Sequence, residues 1–263
     1  MCIRDRTRVI YDGRECYLAT YLVIRAVDTI DAEITPEPTP EPSEGEEAGP
    51  VASTSGAGKI VCIDAGHQSK GNSDTEPLGP GSSESKAKCS SGTSGAVGGD
   101  EYILNLAVAK YLQAELEARG YTVVMTRTTN DVNLSNKERA TIANDAGADA
   151  FIRIHADSST NTSAEGLYTI CMTSDNPFNA SLYDKSRKLS DCILESATAA
   201  TGAKPRYVYE SDEYSGINWS KVPVTIIEMG FMSNEKEDKL LADDSYRRKM
   251  AKGIADGIDA FFK

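Results

Sequence analysis

The chain holds two histidines in 263 residues, and each closes a short apolar, β-rich run. His67 ends Lys59-Ile-Val-Cys-Ile-Asp-Ala-Gly-His67, and His155 ends Ala150-Phe-Ile-Arg-Ile-His155. A third run, Val222-Pro-Val-Thr-Ile-Ile-Glu228, closes in a carboxylate. Open α/β folds place their sites at the carboxyl ends of strands, so three such runs suggest a metal hydrolase site. Catalytic zinc takes three protein ligands and leaves one position for water. The histidines supply two. Glu101, in the first turn of a helix after a Gly-rich loop, is the best candidate for the third, with Asp100 and Glu84 as competitors. A carboxylate ending an apolar strand is paired or functional, because burying it unpaired is costly. Beside a metal, Glu228 can take a proton from water and pass it to a leaving amine. The alternative is a buried ion pair with Lys221, Arg139 or Arg153.

These residues need a sheet to bring them together. Strand patterns cover 59–64, 121–126, 150–155, 166–172 and 222–228. A helix is predicted from Tyr102 to Ala118, with Ile103, Leu106, Ala107, Tyr111, Leu112 and Leu116 on one face and Gly120 as the stop. Ser135 with Glu138 is a capping-box signature opening a helix to about Ala146. Further helices are predicted at 181–200, 235–242 and 244–261. This alternation predicts an α/β fold: a mainly parallel or mixed twisted sheet of about six strands, helices on both faces, and a short β remnant at the N-terminus.

Net charge is −12, unevenly spread. Residues 31–50 carry one Asp and six Glu with no Lys or Arg, whereas 59–263 hold 23 basic and 29 acidic residues. No basic groove is evident, which argues against nucleic acid as a partner. The apolar stretch Tyr17 to Val27 is too short to span a membrane and contains Arg25. Residues 28–58, with Thr35-Pro-Glu-Pro-Thr-Pro-Glu-Pro followed by a Ser/Gly/Ala stretch, read as an extended linker. Two β-rich runs flank Asp12-Gly13, a hairpin signal. Met1-Cys-Ile-Arg-Asp5 is what a common sequencing-library adapter encodes. Residues 1–6 are therefore expected to be artefact, and a signal peptide to have been lost upstream.

Four motifs in order carry a family resemblance: Val61-Cys-Ile-Asp-Ala-Gly-His67, Glu101 before an Asn-Leu-Ala helix, Ile152-Arg-Ile-His-Ala156, and Val222-Pro-Val-Thr-Ile-Ile-Glu-Met-Gly-Phe-Met-Ser-Asn234. Residues 59–263 resemble zinc-dependent N-acetylmuramoyl-L-alanine amidases of the amidase type 3 family. The resemblance implies hydrolysis of the amide joining N-acetylmuramic acid to L-alanine in peptidoglycan, at the cell wall outside the cell. It implies zinc on His67, Glu101 and His155, with Glu228 as the catalytic carboxylate. Residues 7–27 resemble the tail of a bacterial SH3-like domain, a kind that often binds cell wall. Two alternatives are a wall-binding protein without catalysis and a different zinc amide hydrolase, a peptidase or deacetylase.

The chain departs from the family at Gln68 and Asp157, which are expected to alter substrate contacts. The 68–100 stretch is longer than in many members and reads as an insertion beside the cleft, either a specificity loop or a passive one. Asp64 is expected to cap the following turn or to hold a histidine N–H. Arg139 and Asn144 are expected to anchor loops, Asn218-Trp219 to line the cleft, Cys62 to be a buried hydrophobe, and Cys89 to be exposed.

Overall fold

The computed structural model describes the strands Arg6–Tyr11 and Arg14–Ala19 and residues 55–263. The chain divides into two units, residues 1–50 and 51–263. In the first, β1 (Arg6–Tyr11) and β2 (Arg14–Ala19) pair antiparallel with Tyr11 opposite Arg14. That register leaves Asp12 and Gly13 as the two residues between them, as the hairpin signal requires. Residues 1–5 of the expected artefact and 28–54 of the expected linker lie outside the described residues.

The second unit is built on six strands. They are β3 (Ile60–Ala65), β6 (Thr122–Met125), β7 (Ala150–Asp157), β8 (Leu167–Cys171), β9 (Pro205–Glu210) and β10 (Val224–Phe231), in the order β6-β3-β7-β10-β8-β9. The first four run parallel, β8 is antiparallel to β10, and β9 is parallel to β8. The chain leaves β3 through α1 (Glu101–Ala118) to β6 on one side, then returns through α2 (Asn136–Asp145) to β7 on the other. The β3/β7 junction is therefore a topological switch point, where open α/β sheets place ligands. Mixed strand direction and helices on both faces agree with the expected fold class.

Register assigns the faces. Asp64 pairs with Arg153, Glu228 with His155, and Tyr168 with Glu228. Side chains alternate along a strand, so all five share one face, the site face. The opposite face is aliphatic. Val61, Ile63, Ile152, Ile154 and Ile227 pack there against α1, α3 (Tyr183–Thr201) and α6 (Asp244–Phe261). The site face is covered by α2 and the four-residue helix α4 (Ser215–Asn218), through Ala140, Ala143 and Ile217 against Phe151, Ile170 and Ile226. The helix α5 (Glu235–Ala242) follows β10. No helix of the described residues is long and apolar enough to cross a membrane.

Several local expectations are corrected. The buried stripe of α1 is Glu101, Leu104, Asn105, Leu106, Val108, Ala109, Leu112 and Leu116, while Ile103 is 47% exposed. The stripe is set by the sheet contact and turns Ile103 outward. The 68–100 stretch contains a hairpin, β4 (Asn72–Pro77) and β5 (Ser85–Cys89), that pairs with no other strand of the sheet. Cys89 is buried at its end rather than exposed, whereas Cys62 is buried as expected. The capping box of α2 is present, with Glu138 N donating to Ser135 Oγ at 3.1 Å and Ser135 N to Glu138 Oε2 at 2.7 Å.

Candidate metal centre

The first site segment leaves β3 through Gly66. A Cβ at Gly66 would lie 2.2 Å from His155 Cε1, so only glycine lets the backbone pass the second histidine ring this closely. Next comes His67 with φ +59°, the one non-glycine in the left-handed region among the described residues. That conformation costs about 1–2 kcal/mol and needs outside support. Two buried guanidiniums give it. Arg127 donates to the Ala65 and Gly66 carbonyls at 2.7 and 3.0 Å. Arg139 donates to the Ala65 and His67 carbonyls at 2.9 and 3.0 Å.

The His67 ring is oriented by Nδ1, which lies 3.0 Å from the Ser90 carbonyl. A proton there leaves the Nε2 lone pair facing inward. Nε2 is 3.1 Å from Glu101 Oε1. His155 Nδ1 is 3.2 Å from the same oxygen and 3.1 Å from His67 Nε2. Glu101 is fixed from several sides. Asn105 Nδ2 and Ala156 N donate to Oε1 at 3.1 and 3.2 Å, and Thr93 N donates to Oε2 at 3.0 Å. Thr93 follows Gly92 (φ +84°), where a Cβ would lie 2.7 Å from Oε2.

His67, Glu101 and His155 thus offer three ligand atoms at the corners of a nearly equilateral triangle, a group able to hold a metal ion. Ligand atoms on a tetrahedral zinc at its usual bond lengths stand about 3.3 Å apart, close to the observed spacing. Two imidazoles and one carboxylate also suit zinc chemically. Asp100 instead sits at the N-cap of α1 and accepts from Ser94 Oγ at 2.9 Å. Glu84 is exposed beside the hairpin turn. Neither competitor joins the triangle.

The electrostatics are those of a buried, mutually constrained group. Burial pushes His155 down to about 4, so its ring is neutral at neutral pH. Burial also opposes charge on His67, but the Cys89 sulfur and the Glu101 carboxylate outweigh it and raise His67 to about 10. A proton on His67 and a metal therefore compete for one lone pair. Glu101 is buried, yet its two histidine neighbours hold it below the usual carboxylate range.

Glu228 stands beside His155 in the adjacent strand. Its Oε2 is buried without a hydrogen-bond partner. Burial, then the charges of Glu101 and Asp157, push its carboxyl well above the ordinary value. It forms no ion pair with Lys221, Arg139 or Arg153 within the described residues.

Asp64 neither caps a turn nor touches a histidine. It is fully buried, pairs with Arg139 at 2.8 Å and Arg153 at 2.9 Å, and accepts from Thr126 Oγ1 at 2.6 Å. Burial raises an acid, but the two guanidiniums outweigh it and hold Asp64 far below the usual range. Gln68 is also fully buried, accepting from Arg139 at 2.8 Å and Leu134 N at 3.0 Å, so it anchors the loop. Asp157 accepts from Tyr168 Oη at 2.6 Å. Arg139 and Asn144 anchor as expected, Asn144 through the Trp219 carbonyl and Lys221 N. Asn218 and Trp219 hold the hairpin, donating to the Leu78 carbonyl at 3.2 Å and the Pro77 carbonyl at 2.9 Å. Sequence reasoning missed Asn105, Arg127 and Tyr168. Asn105 had a signal, four residues after Glu101 on the same helix face.

Comparison with known proteins points to one family. Residues 61–260 match the model of the Amidase_3 family, N-acetylmuramoyl-L-alanine amidase. The uncharacterized protein YqiI of Bacillus subtilis is 30% identical over 205 residues, covering 78% of this chain and 85% of YqiI. The N-acetylmuramoyl-L-alanine amidase LytC of the same organism is 29% identical over 206 residues, but this chain spans only 36% of its length. The crystal structure of the amidase Ami1 from Mycobacterium smegmatis superposes with a TM-score of 0.71 at 26% identity, covering 78% of this chain and 97% of Ami1.

Proposed function

The chain belongs to the N-acetylmuramoyl-L-alanine amidase family, and we propose that it performs the family's reaction with zinc on His67, Glu101 and His155 and with Glu228 as proton carrier. The reaction is hydrolysis of the peptidoglycan amide between N-acetylmuramic acid and L-alanine, an action at the cell wall. The observation that carries the proposal is the triangle of donor atoms 3.1–3.2 Å apart with an unpartnered carboxylate in the adjoining strand.

Zinc held there supplies a Lewis acid for the scissile carbonyl and a water whose pKa falls to about 7. The protein's part is positioning and proton transfer. Ser90 and Asn105 orient the His67 ring and the Glu101 carboxylate. Glu228, with a free buried oxygen, accepts the water proton and delivers it to the alanine nitrogen as the C–N bond breaks. Secretion by a signal peptide, and wall binding by the β1–β2 segment as part of an SH3-like domain, belong to the same proposal.

The test is digestion of purified peptidoglycan by the full chain with zinc, followed by labelling of new amino termini. New N-terminal L-alanine on intact stem peptides, lost with a chelator, is expected. New termini elsewhere in the stem, or released acetate, would replace this reading with a peptidase or a deacetylase.

A further inference from the structure

A cavity of about 180 Å³ lies on the site face, lined by Lys86, Asn136, Arg153, Glu213, Tyr214 and Ser215 among others. Arg153 precedes His155 by two residues in β7, so it lies on the same face and about 7 Å back along the strand. Tyr214 lines the cavity, and burial and then the Glu228 carboxylate raise its phenol to about 12.

Arg153 is 3% exposed. Its Nε is bonded to Asp64 and its Nη2 to Asn136 Oδ1 at 2.7 Å, while Nη1 has no bond within the described residues. That nitrogen lies over Gly216, where a Cβ would come within 2.2 Å of it. Charge is out of balance here. Arg139 and Arg153 share one carboxylate, Asp64, and their other bonds go to carbonyl and amide oxygens. Two guanidiniums on one carboxylate leave a net positive charge in that cluster. On the cavity's other wall, Lys86 and Glu213 pair at 2.6 Å and neutralise each other. The cavity therefore has an anion-seeking floor and an uncharged rim.

We propose that this cavity binds a free carboxylate of the stem peptide, that of the residue following the alanine whose nitrogen is released. This rests on the amidase reading above. In peptidoglycan that residue is D-glutamate, linked onward through its side chain, so its α-carboxyl is either free or amidated. Its carboxyl lies about 7 Å from the scissile nitrogen at most, two residues' reach, of the same order as the two-residue strand spacing between Arg153 and His155. The unbonded Nη1 donates to the carboxylate, a charge-assisted bond that a neutral carboxamide does not match. The β4–β5 hairpin, through Lys86, is then a wall of the substrate site rather than a passive loop.

The test compares kcat/KM for two soluble muropeptides that differ only in a free α-carboxyl or an α-carboxamide at that position. The full chain with zinc is expected to prefer the acid about tenfold or more. Arg153→Gln is expected to bring the ratio near one. Should that variant fail to fold, Lys86→Ala, on the surface hairpin, leaves the Glu213 carboxylate facing the cavity and is expected to lower the ratio several-fold. A merely structural role would depress both substrates together and keep the ratio. Equal rates in the wild type, or a preference that survives in the folded variants, would overturn the proposal while leaving the amidase reading intact. Failure to cleave either substrate at the alanine amide would remove both.

Discussion

The two faces of the six-stranded sheet use opposite means to hold the same strands. On one, aliphatic side chains of β3, β7 and β10 meet three long helices. On the other, the same strands present Asp64, Arg153, His155 and Glu228 in adjoining rows. The aliphatic face tolerates small adjustments, because dispersion and area burial are non-directional. The site face depends on pairwise geometry, where removing one partner strands another in a low-dielectric interior. The first face supplies stability to a fold whose second face is arranged for chemistry.

Substitutions can break that contrast in order of expected effect. Glu228→Gln removes the proposed proton carrier and should lower kcat roughly 10²–10⁴-fold while zinc content, measured by elemental analysis, is retained. The same variant should melt higher than the wild type when both are metal-free at neutral pH. The folded carboxyl binds its proton more tightly than the unfolded one, so ionisation costs stability as pH rises above the unfolded value, and glutamine escapes that cost. A lower melting temperature would show that Glu228 has a bonding partner.

Asp64→Asn leaves Arg139 and Arg153 without their counter-ion. It should cost about 3–5 kcal/mol in urea unfolding and, by loosening the His67 turn, weaken zinc binding about 10–100-fold. Ile152→Ala, on the opposite face, should cost a similar 2–5 kcal/mol yet leave zinc affinity and kcat of the folded protein unchanged. If both variants affect zinc equally, the two faces are not functionally separate. The smallest effect is in acid. The folded pKa of Asp64 lies below its unfolded value, so its stabilisation is complete above about pH 4 and fades as pH falls toward the folded pKa. The stability gap between wild type and Asp64→Asn should therefore narrow in melts below pH 4, whereas the Ile152→Ala gap should not.

What was legible in the sequence follows the same division. His67, His155 and Glu228 announced themselves by closing β-rich runs, and Glu101 by opening a helix. Ile152 and Ile227 were readable as core because a strand's apolar pattern is local. Asp64 was misread because its partners are 75 and 89 residues away, and no local pattern encodes such pairs. The strand β9 went unseen because Pro205-Arg-Tyr-Val-Tyr-Glu210 is an edge strand whose side chains are mostly exposed. The hairpin was missed because Asn72–Pro77 and Ser85–Cys89 are polar and pair only with each other. Cys89 looked exposed from its Ser/Gly-rich neighbours, and its burial comes from the fold of that hairpin against α2.

The independence of that hairpin has a consequence for descent. Its strands share no ladder with the sheet, and it is fastened by a few side-chain bonds such as Trp219 Nε1 to the Pro77 carbonyl and Asn136 Nδ2 to the Lys88 carbonyl. Loops held this way accept insertion and resequencing without disturbing the elements they connect. A lineage can therefore exchange the hairpin as a cassette, retargeting one inherited hydrolytic centre to bacterial walls of different chemistry without rebuilding the sheet beneath it.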